Sequence, residues 1–272
     1  MAVVTISRQL ASFGDEIGAR IAEKLGYKFV GKEELEKRIV SLGFPKDKLS
    51  KFDDKKLGFF AGLTHIRGEY VNYLVTAILE AAAENNCVIV GRGSFIILKD
   101  LENHVSCRII ADEKIRAERV MKDMGCDRKS ALKKITGDDA RQKSFHKEFF
   151  NFDVQNPAMF DLLVSTSSLG VGAIVESVAA LAKNHVTPQK DALGQQKIEE
   201  LLLGQRIVSL LVFIAGLNIS FLRASIDGRR ITLHGISDSK STVDMAINLV
   251  SAELPGYQIE SAISVEQNFK VY

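Results

Sequence analysis

The chain opens on a short apolar run, Val3, Val4 and Ile6, which stops at a polar stretch from Ser7 to Asp15. Beyond it Ile17, Ile21, Ala22 and Leu25 recur at helical spacing, with Glu16, Arg20, Glu23 and Lys24 on the other face. This pattern predicts a strand, a polar loop and an amphipathic helix. The apolar tetrad Cys87 to Val90 ends at Gly91-Arg92-Gly93 and predicts a strand buried on both faces. Val105 to Ile110 and Met159 to Thr166 predict two more strands. Helical patterns fall at Lys32 to Leu42, Arg67 to Asn85, Asp112 to Met124 and Gly172 to Ala182. Strands alternating with helices imply βαβ units and a parallel sheet.

The pattern changes after residue 184. Lys183 to Gln196 is polar, contains Pro188, and reads as a linker over residues 185–196. A helix from Lys197 to Val212 follows, then two strands flanking the hairpin signal Asp227-Gly228-Arg229-Arg230. A helix from Ser239 to Leu254, stopped by Pro255-Gly256, and a strand from Tyr257 to Val265 complete an αββαβ module. The most apolar stretch, Ile207 to Leu222, holds Ser209, Gly216, Asn218 and Ser220. It is short for a membrane span, which needs about 20 apolar residues, and reads as a buried helix turning into a strand. Pro45 to Leu57, rich in lysine and aspartate, reads as a solvated connection.

At 272 residues the chain suits one large or two ordinary domains. Its 36 basic and 34 acidic residues leave a net charge of +2, so no basic field points to nucleic acid. Cys87, Cys107 and Cys126 lie far apart without C-x-x-C pairing, as reduced thiols do, and no signal peptide is evident. The expected location is the cytoplasm.

Candidate chemistry gathers at the predicted carboxyl edge of the sheet. The N-terminus of a helix after a strand offers free N–H groups and a favourable dipole to an anion. The strict phosphate loop, G-x-x-x-x-G-K-[ST], places a lysine and a hydroxyl at its end. Here Gly14 is present, but Asp15-Glu16 stand where lysine and Ser/Thr belong. Asp15 could recruit Mg²⁺ or cap the helix. Arg92, just past a buried strand, is placed to bind an anion. Arg116 and Arg119 share one helix face. The basic stretch from Gly125 to Phe150 reads either as a solvated helix face or as a lid that lowers arginines onto phosphates.

With these residues laid out, the first 184 resemble the cytidylate-kinase-like family of P-loop phosphotransferases. The resemblance rests on ISRQ…FGDEIGARIAEKLG, VIVGRG, the RAER pair, the DDAR segment and the ending MFDLLVSTS. Residues 197–272 look like a BON domain, through the Asp-Gly hairpin, LHG and the Pro-Gly before the last strand. The resemblance implies a P-loop kinase-like parallel sheet flanked by helices, with a lid, and transfer of the ATP γ-phosphoryl group to CMP or a related monophosphate with Mg²⁺. By position, Ser7, Arg8, Gln9, Ser12, Phe13, Gly14, Asp15, Glu16 and Arg116 would hold ATP. Arg92 and Asp139 would take the acceptor, with Asp139 alternatively orienting Arg141. Arg141 and Arg119 would act in catalysis, and Asp15 would hold the metal. The chain departs from the family pattern at Ala11-Ser12-Phe13-Gly14, where relatives carry a GSGG-like turn, and lacks the lysine and the aspartate of cytidylate kinases at Gly14 and Gly93. A second hypothesis is therefore a kinase-fold protein that binds a nucleotide or another anion as a sensor or scaffold through its second domain. A homodimer is among the expected assemblies.

Overall fold

The computed structural model describes residues 2–49, 52 and 64–266. It divides into two compact units, residues 1–195 and 196–272. The first is built on five parallel strands, β1 (Val3–Arg8), β2 (Lys28–Val30), β3 (Cys87–Val90), β4 (His104–Ile110) and β5 (Leu162–Ser165), in the order β2-β3-β1-β4-β5. Helices α1 (Gly14–Leu25), α2 (Lys32–Ser41), α3 (Lys46–Leu49), α4 (Thr64–Ala83) and α5 (Ser94–Ile97) lie between β1 and β4. Then come α6 (Glu113–Met124), α7 (Arg128–Phe150) and α8 (Val171–His185).

Strand alternation decides what each face of the sheet can do. Val4 and Ile6 of β1 join Val105, Cys107 and Ile109 of β4 in one core with Ile17 and Ile21 of α1 and Ile174 and Val178 of α8. Each fully buried isoleucine contributes roughly 1.5–3 kcal/mol through removal from water. Thr5 and Ser7 of β1 and His104, Ser106 and Arg108 of β4 face the other way and are polar. Thr5 Oγ1 lies 2.7 Å from His104 Nε2, and Ser7 Oγ lies 2.8 Å from Arg108 Nη1. Polarity thus increases along that face toward the carboxyl edge. The strand order also turns around β1, and crevices in open α/β sheets form at such a point.

His104 has a measurable consequence. Burial pushes its imidazole down to about 4, with Asp161 opposing the shift. An unfolded histidine titrates near 6.5. Above that value the residue adds no pH dependence. As pH falls from about 6.5 to about 4, only the unfolded chain takes up the proton, and about 3 kcal/mol of stability is lost. Urea unfolding across this window should therefore weaken less steeply with acid for His104→Asn than for the parent. Equal slopes would refute the assignment.

Two expectations need correction. The stretch read as a linker is helical from Pro188 onward, the start of α9 (Pro188–Val208). Proline fixes a backbone angle suited to a first helical turn. Thr187 caps that turn, its Oγ1 accepting from the Lys190 amide at 3.2 Å. Asp191 accepts from the side chains of Asn85 and Asn103, fastening the turn further. The apolar stretch from Ile207 is only partly buried. Leu211 is fully enclosed, but Ile214 is 78% and Phe221 85% exposed. A π-helical turn at Ser209–Ile214 and a left-handed Gly216 turn the chain so that these side chains leave the core. Of the Pro45 to Leu57 connection, residues 50, 51 and 53–57 lie outside the described residues. Among the described residues no helix is long and apolar enough to cross a membrane.

The second unit carries β6 (Ile219–Asp227), β7 (Arg230–Ser237), α10 (Lys240–Glu253) and β8 (Gln258–Val265) after the end of α9. β6 and β7 are antiparallel around Gly228-Arg229, and β8 runs parallel to β7. Ile231, Leu233, Val243, Ala246 and Val250 form its core with Ile207 and Leu211. This is the αββαβ order expected from the pattern.

Candidate active site

The loop after β1 is held in a conformation that glycine would adopt more easily. Ala11 and Phe13 both have positive φ, 59° and 62°, at two places where the resembling GSGG-like turn carries glycine. Such a conformation costs about 1 kcal/mol or more per non-glycine residue. Contacts offset this. Ser12 Oγ donates to the carbonyls of Gln9 and Ile109, and Gln9 Oε1 accepts from the Ala111 amide. Arg119, from α6, donates to the Ala11 carbonyl and to the hydroxyl and carbonyl of Thr166, and its guanidinium lies 4.1 Å from the Phe13 ring centre. Arg119, expected in catalysis, is thus engaged as a brace between the loop and the end of β5.

Arg8 ends β1 and is paired with Asp15, Nε and Nη2 donating at 3.2 and 3.1 Å. It passes so close to Gly14 and Gly91 that a Cβ on either would meet it, 2.3 Å from its own Cβ and 2.5 Å from Nη1 respectively. Gly91, Arg92 and Gly93 are all left-handed, with φ of 79°, 54° and 73°. The run turns the chain sharply from β3 into α5. Arg92 reaches the Phe52 carbonyl at 3.2 Å and Glu36 at 3.5 Å, close to the ring of Phe145.

The basic stretch forms α7, a single helix capped by Asp127, whose side chain accepts from the Ser130 amide. Ala131 and Ile135 pack against Ala117 and Val120 of α6, while Arg128, Lys129, Lys133, Lys134, Lys143 and Lys147 are exposed, so the helix has one docked face and one solvated basic face. Arg116 and Asp139 form a two-point pair at 2.9 and 2.8 Å with Arg116 buried. Arg141 is oriented by Asp138 at 3.0 Å, so the alternative in which Asp139 orients it does not hold. Asp138 stands one turn before Arg141 on the same helix face, whereas Asp139 points to α6. The Nε atoms of Arg116 and Arg141 are buried without a hydrogen-bond partner.

Two clefts result. One, of about 320 Å³, is lined by loop residues Arg8 to Ala11 and Phe13 to Glu16 with Asp123, Asp138 and Gln142. The other, of about 40 Å³, lies between Ser7, Arg8, Lys32 and the Gly91 turn on one side and Gln142, Phe145 and His146 of α7 on the other. Arg8 and Gln142 line both. Sequence reasoning missed Gln142, Asp138 and above all Arg108. Arg108 is 7% exposed and donates to Ser7 Oγ, with the Phe160 ring 5.6 Å from its guanidinium. Burial works against its charge and lowers its pKa, while Asp139 and Asp153 oppose that shift from a distance. The available signal was a lone arginine inside the apolar strand VSCRII.

A parallel sheet with a phosphate-type loop after its central strand, flanked by helices and met by an arginine-bearing helix, defines a P-loop kinase-like fold. Residues 3–168 match the model of the Cytidylate kinase-like family, and the chain belongs to that family. The cytidylate kinase of Pyrococcus horikoshii is 27% identical over 202 residues, which cover 73% of this chain and 96% of that protein. The cytidylate kinase of Methanocaldococcus jannaschii is 30% identical over 108 residues, 39% of this chain and 61% of that one. Among solved structures, an uncharacterized protein from Eubacterium ventriosum matches with a TM-score of 0.53 at 25% identity, covering 67% of this chain and 98% of its own.

Proposed function

We propose that the protein transfers the γ-phosphoryl group of ATP to a nucleoside monophosphate of the CMP type. The observation that carries this reading is the pair of clefts meeting at Arg8 and Gln142. Phosphoryl transfer needs donor and acceptor on two sides of shared positive charge, with little covalent work for the protein. The cleft on the loop would take the ATP phosphates, against the first-turn amides of α1. The narrow one would take the acceptor phosphate beside Arg92. At about 40 Å³ it has room for roughly one water, so α7 must draw back to admit a nucleotide. That is the lid role, with Arg141 riding on the same helix.

Oxygen ligands alone (Asp15, Glu16, Asp123 and Asp138) face the loop cleft. This donor set suits Mg²⁺, which takes one or two carboxylates plus phosphate oxygens and water. Among the described residues no three His, Cys, Asp or Glu side chains are grouped to hold a metal alone, so phosphate oxygens would complete the shell. Bound there, Mg²⁺ would neutralise charge on the transferring group. Asp15 restrains Arg8 until a phosphate takes over that guanidinium, which frees the carboxylate for the metal. The αββαβ order and Asp227-Gly228 turn support reading residues 197–272 as a BON-like module.

The test is ADP formation from ATP·Mg²⁺ with CMP and other monophosphates. Arg92→Ala should raise KM for the acceptor by about tenfold to a hundredfold with KM for ATP unchanged. Absence of monophosphate-dependent ADP formation would remove the kinase reading and leave a nucleotide sensor.

A further inference from the structure

We propose that Arg108 is the buried counter-charge of a phosphate subsite in the narrow cleft beside Arg92 and acts there through Ser7. The proposal rests on the kinase reading only for the identity of the phosphate ester. The anion subsite itself stands on geometry.

The other arginines around the clefts are engaged. Arg8 has Asp15, Arg92 has Glu36, Arg116 has Asp139, Arg141 has Asp138, and Arg119 has the carbonyls of Ala11 and Thr166. Arg108 alone in this group has neither: its side chain is bonded to one hydroxyl and faces one aromatic ring. Among the described residues no carboxylate lies within ion-pair distance of it. A buried guanidinium in that condition is costly, and an anion arriving nearby would relieve the cost.

Ser7 carries the effect into the cleft. It is 4% exposed yet lines the cleft that contains Arg92, Gly91 and Gly93. A hydroxyl has one donor hydrogen and can accept twice. Because Arg108 donates to Ser7 Oγ, the hydroxyl keeps its own hydrogen for another acceptor. A phosphate oxygen beside Arg92 would be that acceptor. Arg108 is therefore a positioning residue that polarises Ser7.

The sign of a stability change separates this role from a merely structural one. In phosphate-free buffer Arg108→Met removes an unpaired buried charge for a side chain of similar length, so its Tm should equal or exceed that of the parent. With about 10 mM inorganic phosphate, or with CMP, the parent should gain several degrees and the variant little. CMP affinity should fall about tenfold or more in Arg108→Met and in Ser7→Ala. If Arg108→Met lowers Tm equally with and without phosphate, Arg108 is structural and the proposal fails. If the variant binds and turns over CMP like the parent, the proposal fails while the kinase reading stands. If the parent responds to phosphate and the variant does not, yet no monophosphate is turned over, the subsite stands and the kinase reading fails. A parent that responds to neither phosphate nor CMP overturns both.

Discussion

Gly14→Ala is expected to lower ATP affinity by about tenfold to a hundredfold while leaving the sheet formed, the scale of losing a hydrogen bond to a charged group. The added methyl would stand 2.3 Å from Arg8 Cβ and 2.6 Å from its Cγ. No rotation of the Arg8 side chain moves its own Cβ, so the backbone of β1 or of the first turn of α1 must shift. That shift displaces the one arginine common to both clefts and the amides that would face the phosphates. Circular dichroism should be little changed, because the shift is confined to the junction of β1 and α1 and both elements remain formed. Calorimetric titration with ATP·Mg²⁺ is the measurement. Parental affinity in this variant would mean that the loop does not hold the nucleotide.

Asp139→Ala should be among the most destabilising single changes in α7. It strips the carboxylate from Arg116, whose side chain is only 5% exposed and already holds one unbonded nitrogen. Breaking a fully buried pair costs about 3–5 kcal/mol; Asp139 retains about a third of its exposure, so about 2–3 kcal/mol is expected here. Adding Arg116→Met should recover much of the loss by removing the stranded charge. Urea denaturation of the single and double variants gives both quantities. A cost below about 1 kcal/mol for Asp139→Ala would show that the pair contributes little to holding α7 on α6.

The framework could be read from the chain because parallel strands buried on both faces leave unbroken apolar runs, as in Cys87 to Val90, and because α1 has a clean amphipathic face. The Gly91-Arg92-Gly93 turn could be read for the same reason, since it punctuates such a run. Periodicity says nothing about which charged groups pair once elements are packed. Asp138 and Asp139 are adjacent in sequence but a helix sends them to different partners, so only the packed fold separates the residue that orients Arg141 from the one that secures Arg116. Arg108 was hidden by its setting: VSCRII satisfies the criterion for a strand despite its charge, and the value of that charge depends on Ser7 in another strand. Pro188 misled in the opposite direction, being a helix starter where proline was taken as a break.

Ser7 and Arg108 are separated by 101 residues, yet their strands are adjacent and in register. During synthesis the loop and its helix leave the ribosome well before the arginine that would complete the subsite. A nascent chain that has emerged only through β3 therefore carries Ser7 without the guanidinium that donates to it. If the proposed subsite holds, it would form only when β4 docks against β1, and a ligand that selects it would report on completion of the sheet.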